Sequence, residues 1–80
     1  MSTANKLNSL LSATGTSKAD VARFMGLAPR SMWNRFQVGY FTADDLVIFA
    51  EVTGSKLLYE LPDGQRIEFD ASDIRRKLKK

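Results

Sequence analysis

The 80-residue chain contains neither cysteine nor histidine. Disulfides, thiolate chemistry, Cys/His zinc sites and every histidine-dependent triad are thereby excluded. The sequence has no apolar run near the ~18–20 residues that a membrane span needs. Met1-Ser2-Thr3-Ala4-Asn5 has no signal-peptide core. A cytoplasmic domain without a membrane partner is therefore expected. There is also no phosphate-cradling glycine loop, no nucleophile–base pair and no metal-ligand cluster, so neither an enzyme nor a cofactor or metal site is expected. Eighty residues leave room for one core and no internal repeat. Such a chain buries ~60–65% of its unfolded surface, which implies modest stability.

The net charge of +3 is unevenly spread. Residues 15–40 carry Lys18, Arg23, Arg30 and Arg35 against Asp20 alone. Residues 41–70 reverse the sign, with Lys56 and Arg66 against Asp44, Asp45, Glu51, Glu60, Asp63, Glu68 and Asp70. The end of the chain is basic again, with Arg75, Arg76, Lys77, Lys79 and Lys80 against Asp73. A basic face beside an acidic one suits a polyanion met on one side. Solubilising charge with a frayed tail gives the same composition.

Four helical patterns come first. Leu7, Leu10 and Leu11 give residues 3–13 an apolar stripe, and Gly15 stops it. Ser17 is placed to cap a second helix, with Asp20 favourable in its first turn and Val21, Ala22 and Met25 facing inward until Gly26. The third, 28–37, opens with Pro29, whose missing N–H costs nothing at a first helical position. Met32 and Phe36 form its apolar stripe, and Gly39 ends it. The fourth starts at Thr42, a cap followed by Asp44 and Asp45 where the helix dipole favours carboxylates. Its expected buried face is Leu46, Phe49 and Ala50, with Val47 or Val52 at the edges. The capping role accounts for Asp44 and Asp45 better than acid–base or metal chemistry does.

Beyond Thr53-Gly54 the period changes from 3.6 to 2. Residues 56–61 and 65–69 flank Pro62-Asp63-Gly64, a turn in which proline presets φ, aspartate caps and glycine takes positive φ. Leu57, Tyr59 and Leu61 share one face of the first strand, and Ile67 and Phe69 share a face of the second. A lone hairpin is marginal in water, so it must lie on the helices or pair with another chain.

Two short helices joined by a glycine turn form the core of a helix-turn-helix, and 17–27 fits that geometry. Opposite Met32 and Phe36 on the next helix lie Arg30 and Asn34, with Ser31, Trp33 and Gln37 flanking them. Arginine suits guanine O6/N7, and asparagine suits adenine N6/N7. An ordinary polar helix surface has the same inventory.

Residues 6–54, well over half of the chain, resemble a lambda-repressor/Cro-type (XRE family) helix-turn-helix domain. Thr16–Phe36 tracks that family's capped helix, small residue, glycine turn and recognition helix, and Tyr40–Gly54 is similar to its next helix. The resemblance implies a mainly α fold, a four-helix lambda-repressor-like domain over 1–54, and the residue patterns add a C-terminal β-hairpin over 55–70 and a basic tail over 71–80. It further implies that Ser17 and Lys18 meet phosphate, although glutamine is usual where Lys18 stands. It places Pro29, Arg30 and Asn34 at base-contacting positions, with Ser31 and Arg35 adjacent. Ala28 stands where a hydroxyl cap is usual, and Pro29 can read only apolar features.

Trp33 has two readings, a ring half-buried beside Tyr40 and Phe41 or a wedge against sugar or a thymine methyl. Tyr40 and Phe41 are expected in the core and as a loop anchor, with the Tyr40 hydroxyl within reach of a phosphate. The hairpin is either a cap on the core or a dimerisation edge. The tail is either a solvated terminus or an arm that reaches phosphates. The expected function is a phage or bacterial repressor-like regulator that binds double-stranded operator DNA as a homodimer, with residues 56–69 as the candidate joint. The alternative is a protein-interaction module, such as an antirepressor, antitoxin or anti-defence factor, built on the same fold.

Overall fold

A computed structural model describes residues 2–74. Among them the chain is mainly helical, with a small antiparallel hairpin near its end. The helices are α1 (Thr3–Thr14), α2 (Lys18–Met25), α3 (Pro29–Val38) and α4 (Ala43–Thr53). Strands β1 (Leu57–Glu60) and β2 (Arg66–Phe69) follow, and then a single 3-10 turn, Ala71–Asp73. The cationic residues of the tail, 75–80, lie outside the described residues.

Local chemistry sets these boundaries. Ser17 and Asp20 close a reciprocal capping box on α2: the Asp20 N–H donates to Ser17 Oγ (3.0 Å) and the Ser17 N–H to Asp20 Oδ2 (3.1 Å). Thr42 and Asp45 repeat the arrangement on α4. α3 has no side-chain cap, because Ala28 supplies no acceptor, and Pro29 opens the helix in its place. The α2–α3 turn depends on Gly26 at φ 73°, a left-handed conformation that strains any residue with a Cβ. Gly26 N–H then reaches the Arg23 carbonyl (3.2 Å) and Leu27 N–H the Ala22 carbonyl (2.8 Å). This is the Schellman pattern, which satisfies the last carbonyls of α2 and folds Leu27 back onto the core.

The core joins Leu7 and Leu11 of α1, Val21, Ala22 and Met25 of α2, Met32 and Phe36 of α3, and Ile48 and Phe49 of α4. Phe36, Phe41 and Phe49 meet pairwise edge to face, with centroids 5.1, 6.0 and 5.9 Å apart. Each such pair contributes about 0.5–1.5 kcal/mol beyond area burial.

α4 is the central element, packed against α1, α2, β1 and the 3-10 turn. It therefore departs from the one-sided face expected of it. Asp45, Val47, Ile48, Phe49 and Ala50 are all buried, whereas Leu46 and Val52 are only half-buried. Ile48, absent from the expected face, is completely enclosed. A helix covered from several directions has no single apolar stripe for periodicity to find.

The hairpin pairs Leu57 with Phe69, Leu58 with Glu68, Tyr59 with Ile67 and Glu60 with Arg66. Its turn is closed by Gly64 N–H to the Leu61 carbonyl (2.9 Å) and by Gln65 N–H to Asp63 Oδ1 (3.0 Å). Directly opposed residues share a face, so Leu57, Tyr59, Ile67 and Phe69 form one apolar surface. Tyr59 and Phe69 meet edge to face at 5.9 Å. The hairpin rests on α4 through an apolar groove of about 290 Å³ lined by Leu46, Val47, Leu57, Leu58 and Phe69 among others. Its far end is open, with Tyr59 67% and Ile67 55% exposed. No helix among the described residues is long and apolar enough to cross a membrane.

Candidate nucleic-acid interface

α3 is held from beneath. Met32 and Phe36 sink into the core. At the edge of that stripe the Arg35 guanidinium donates to Asp45 Oδ2. The same oxygen accepts the Thr42 N–H (2.9 Å), while the Asp45 N–H donates to Thr42 Oγ1 (3.1 Å). One fully buried carboxylate thus serves the start of α4 and the C-terminal half of α3 together. A carboxylate without water needs such partners, since leaving it uncompensated costs several kcal/mol. Arg35, which the family resemblance puts beside base-contacting positions, is turned inward, and only 28% of its side chain is exposed.

The opposite face of α3 is open. Arg30 and Asn34 are exposed, as are Ala28, Pro29, Ser31 and Gln37. Arg30, Trp33 and Asn34 line a shallow hollow of about 380 Å³. Asn34 also lines a neighbouring hollow of about 270 Å³ with Arg35, Val38, Tyr40 and Thr42. It is the residue common to the two.

The structure separates the readings of the three aromatic residues. Trp33 is 56% exposed and borders Arg30 and Asn34, while Phe41 is seated against Phe36 and Phe49. Tyr40 is 68% exposed and is no part of the core. The difference follows from chain direction: Gly39 reverses the backbone after α3, and of the next two side chains only Phe41 enters the core. Val38, beyond the expected end of this helix, is also exposed. It stands four residues after Asn34, a spacing that marks the same helical face.

The start of α2 meets α3 at Phe36. Ser17 is exposed, with its oxygen and amide engaged in the capping box. Its N–H, and next its hydroxyl, hold the Asp20 carboxyl below the usual carboxylate range, and Arg23 adds a smaller pull through an ion pair. Lys18 Nζ stands 4.3 Å from the centroid of the Phe36 ring, a cation–π contact that ties α2 to α3. Among the described residues no group of His, Cys, Asp and Glu is arranged to hold a metal ion.

Chemically, the exposed side chains of α3 offer the Arg30 guanidinium, the Asn34 and Gln37 carboxamides, the Ser31 hydroxyl and the Trp33 indole. They supply hydrogen-bond donors and acceptors. No family model, curated protein or solved structure matches the chain.

Proposed function

We propose that the chain is a sequence-specific DNA-binding regulator of lambda-repressor/Cro type, with α2 and α3 as its helix-turn-helix and α3 as the recognition helix. The observation that carries this reading is the exposed pair Arg30 and Asn34, one turn apart and directly opposite the buried Met32 and Phe36. A helix anchored on one side and armed with Arg and Asn on the other suits the major groove, where guanine offers two acceptors and adenine an acceptor beside a donor. Ser17, Lys18 and Tyr40 flank the helix as candidate phosphate contacts, which position the protein without reading sequence. Ala28, Pro29 and Ser31 lie at its leading end.

The partner is double-stranded operator DNA, and the working unit is a homodimer. Tyr59 and Ile67 form the exposed end of the hairpin's apolar face, which suits pairing with a second copy. Two recognition helices would then stand about 34 Å apart, one turn of duplex. Repression in a phage or bacterial setting is the role that the family resemblance favours.

An electrophoretic titration against a selected duplex across a salt series tests the function. Affinity falling steeply as salt rises is expected, since phosphate contacts release counterions. A chain that forms no specific duplex complex at low salt is not such a regulator. The second reading is a protein-interaction module, favoured by the open apolar residues Trp33, Val38 and Tyr40 beside the same face.

A further inference from the structure

We propose that the hollow lined by Arg30, Trp33 and Asn34 receives the 5-methyl group of a pyrimidine next to the base that Arg30 reads. The inference rests on the DNA-binding reading and assigns a chemical preference to its central site. Trp33 belongs neither to the buried core nor to the half-buried shell packed on it. The core closes without it, through Phe36, Phe41 and Phe49. More than half of the largest apolar side chain is therefore left in water at the edge of a polar face.

The company it keeps defines what it can bind. Arg30 and Asn34 supply the hydrogen-bonding groups of the hollow, and the indole supplies its apolar wall. Among base edges in the major groove, the 5-methyl of thymine is the prominent apolar group beside an array of donors and acceptors. A hollow that joins a guanidinium to an indole therefore matches a methyl beside a hydrogen-bonding base. Residues three or four apart on a helix are about 5–6 Å apart at Cβ, against ~3.4 Å per base along a strand. Arg30 and Trp33 are thus offset by roughly one and a half base steps, so the indole reaches a pair near the one that Arg30 reads rather than the same pair. 5-Methylcytosine carries the same methyl, so thymine and methylated cytosine are the two sources of one ligand chemistry.

Methyl deletion within DNA tests this directly. The duplex enriched by selection from a random pool is resynthesised with each thymine replaced in turn by deoxyuridine, which lacks the methyl but keeps its hydrogen-bonding code. Binding is read by fluorescence anisotropy for the full chain. At one thymine, removal of the methyl should weaken binding about fourfold, the worth of one buried carbon group at about 0.8 kcal/mol. Trp33→Ala should bind the thymine and uracil duplexes equally, and Trp33→Phe should restore part of the difference. Cytosine and 5-methylcytosine at that position separate the sources: recovery on methylation shows that the methyl suffices, and no recovery assigns the site to thymine. A wild-type protein indifferent to every methyl, or a methyl effect that survives in Trp33→Ala, overturns the inference while the DNA-binding reading stands. Failure of the wild-type chain to bind any duplex overturns both.

Discussion

The Arg35 guanidinium and the Asp45 carboxylate join the C-terminal half of α3 to the first turn of α4 through an ion pair whose carboxylate is fully buried. Ten residues separate them in the chain. Met32 and Phe36 set which face of α3 is buried, and the pairing adds a polar tie between α3 and α4 at the edge of that stripe. Arg35 thus ties the helix that carries the proposed recognition face to α4. Arg35→Met leaves a desolvated carboxylate with its strongest partner removed, and a stability loss of about 3 kcal/mol is expected. Urea denaturation of wild type, Arg35→Met, Asp45→Asn and the double variant measures it. The double variant should be much less destabilised than the sum of the single losses, because each removes the same interaction.

Ala28 leaves α3 without a side-chain cap. Ala28→Ser should supply one and raise stability by about 1 kcal/mol, measured as an increase in denaturant midpoint at unchanged slope. An unchanged midpoint would show that Pro29 already meets the helix's need.

Lys18 serves α2 and α3 together, since its ammonium stands over the Phe36 ring. Lys18→Ala should cost about 0.5–1 kcal/mol of stability. In DNA binding it should weaken all sequences alike and reduce the salt slope by roughly one unit for each phosphate left without its ammonium, twice that in a dimer. Lys18→Met separates the roles further, because its thioether still packs on the ring while the charge is gone.

The capping box of α2 gives the domain an acid-sensitive element. Hydrogen bonds from Ser17 lower the Asp20 pKa in the folded chain below the ordinary 3.8. The unfolded chain then binds the proton more readily, so stability rises with pH across this range. Asp20's contribution is fully present above about pH 5 and is lost as pH falls through 3.8 and below. Melting temperatures of wild type and Asp20→Asn, followed from pH 7 to pH 3, should converge on acidification. Parallel curves would remove Asp20 from the acid response.

Much of this fold is legible in the sequence because its signals are local. Ser17, Gly26, Pro29, Gly39, Thr42 and Gly54 mark helix ends by backbone chemistry that needs no distant partner. Pro62-Asp63-Gly64 likewise sets the hairpin register through its turn. The outward face of α3 follows from two buried residues one turn apart. What escaped depends on contacts between elements. Asp45 reads as a cap, which it is, but its burial arises only where Arg35 arrives from α3. Ile48 vanishes from a one-sided pattern because α4 is enclosed by helices and hairpin together. Tyr40 and Phe41 are adjacent aromatic residues, and only the path of the chain after Gly39 decides which of them enters the core.

The central claim is that the exposed face of α3 chooses a DNA sequence through Arg30 and Asn34. Selection from a random duplex pool, run in parallel on wild type, Arg30→Ala and Asn34→Ala, tests it most directly. Wild type should enrich a defined motif. Arg30→Ala should relax preference at one guanine position and Asn34→Ala at one adenine position, each at a cost of about 1–3 kcal/mol on the preferred site. A pool that enriches no motif with wild type, or the same motif with all three proteins, contradicts it.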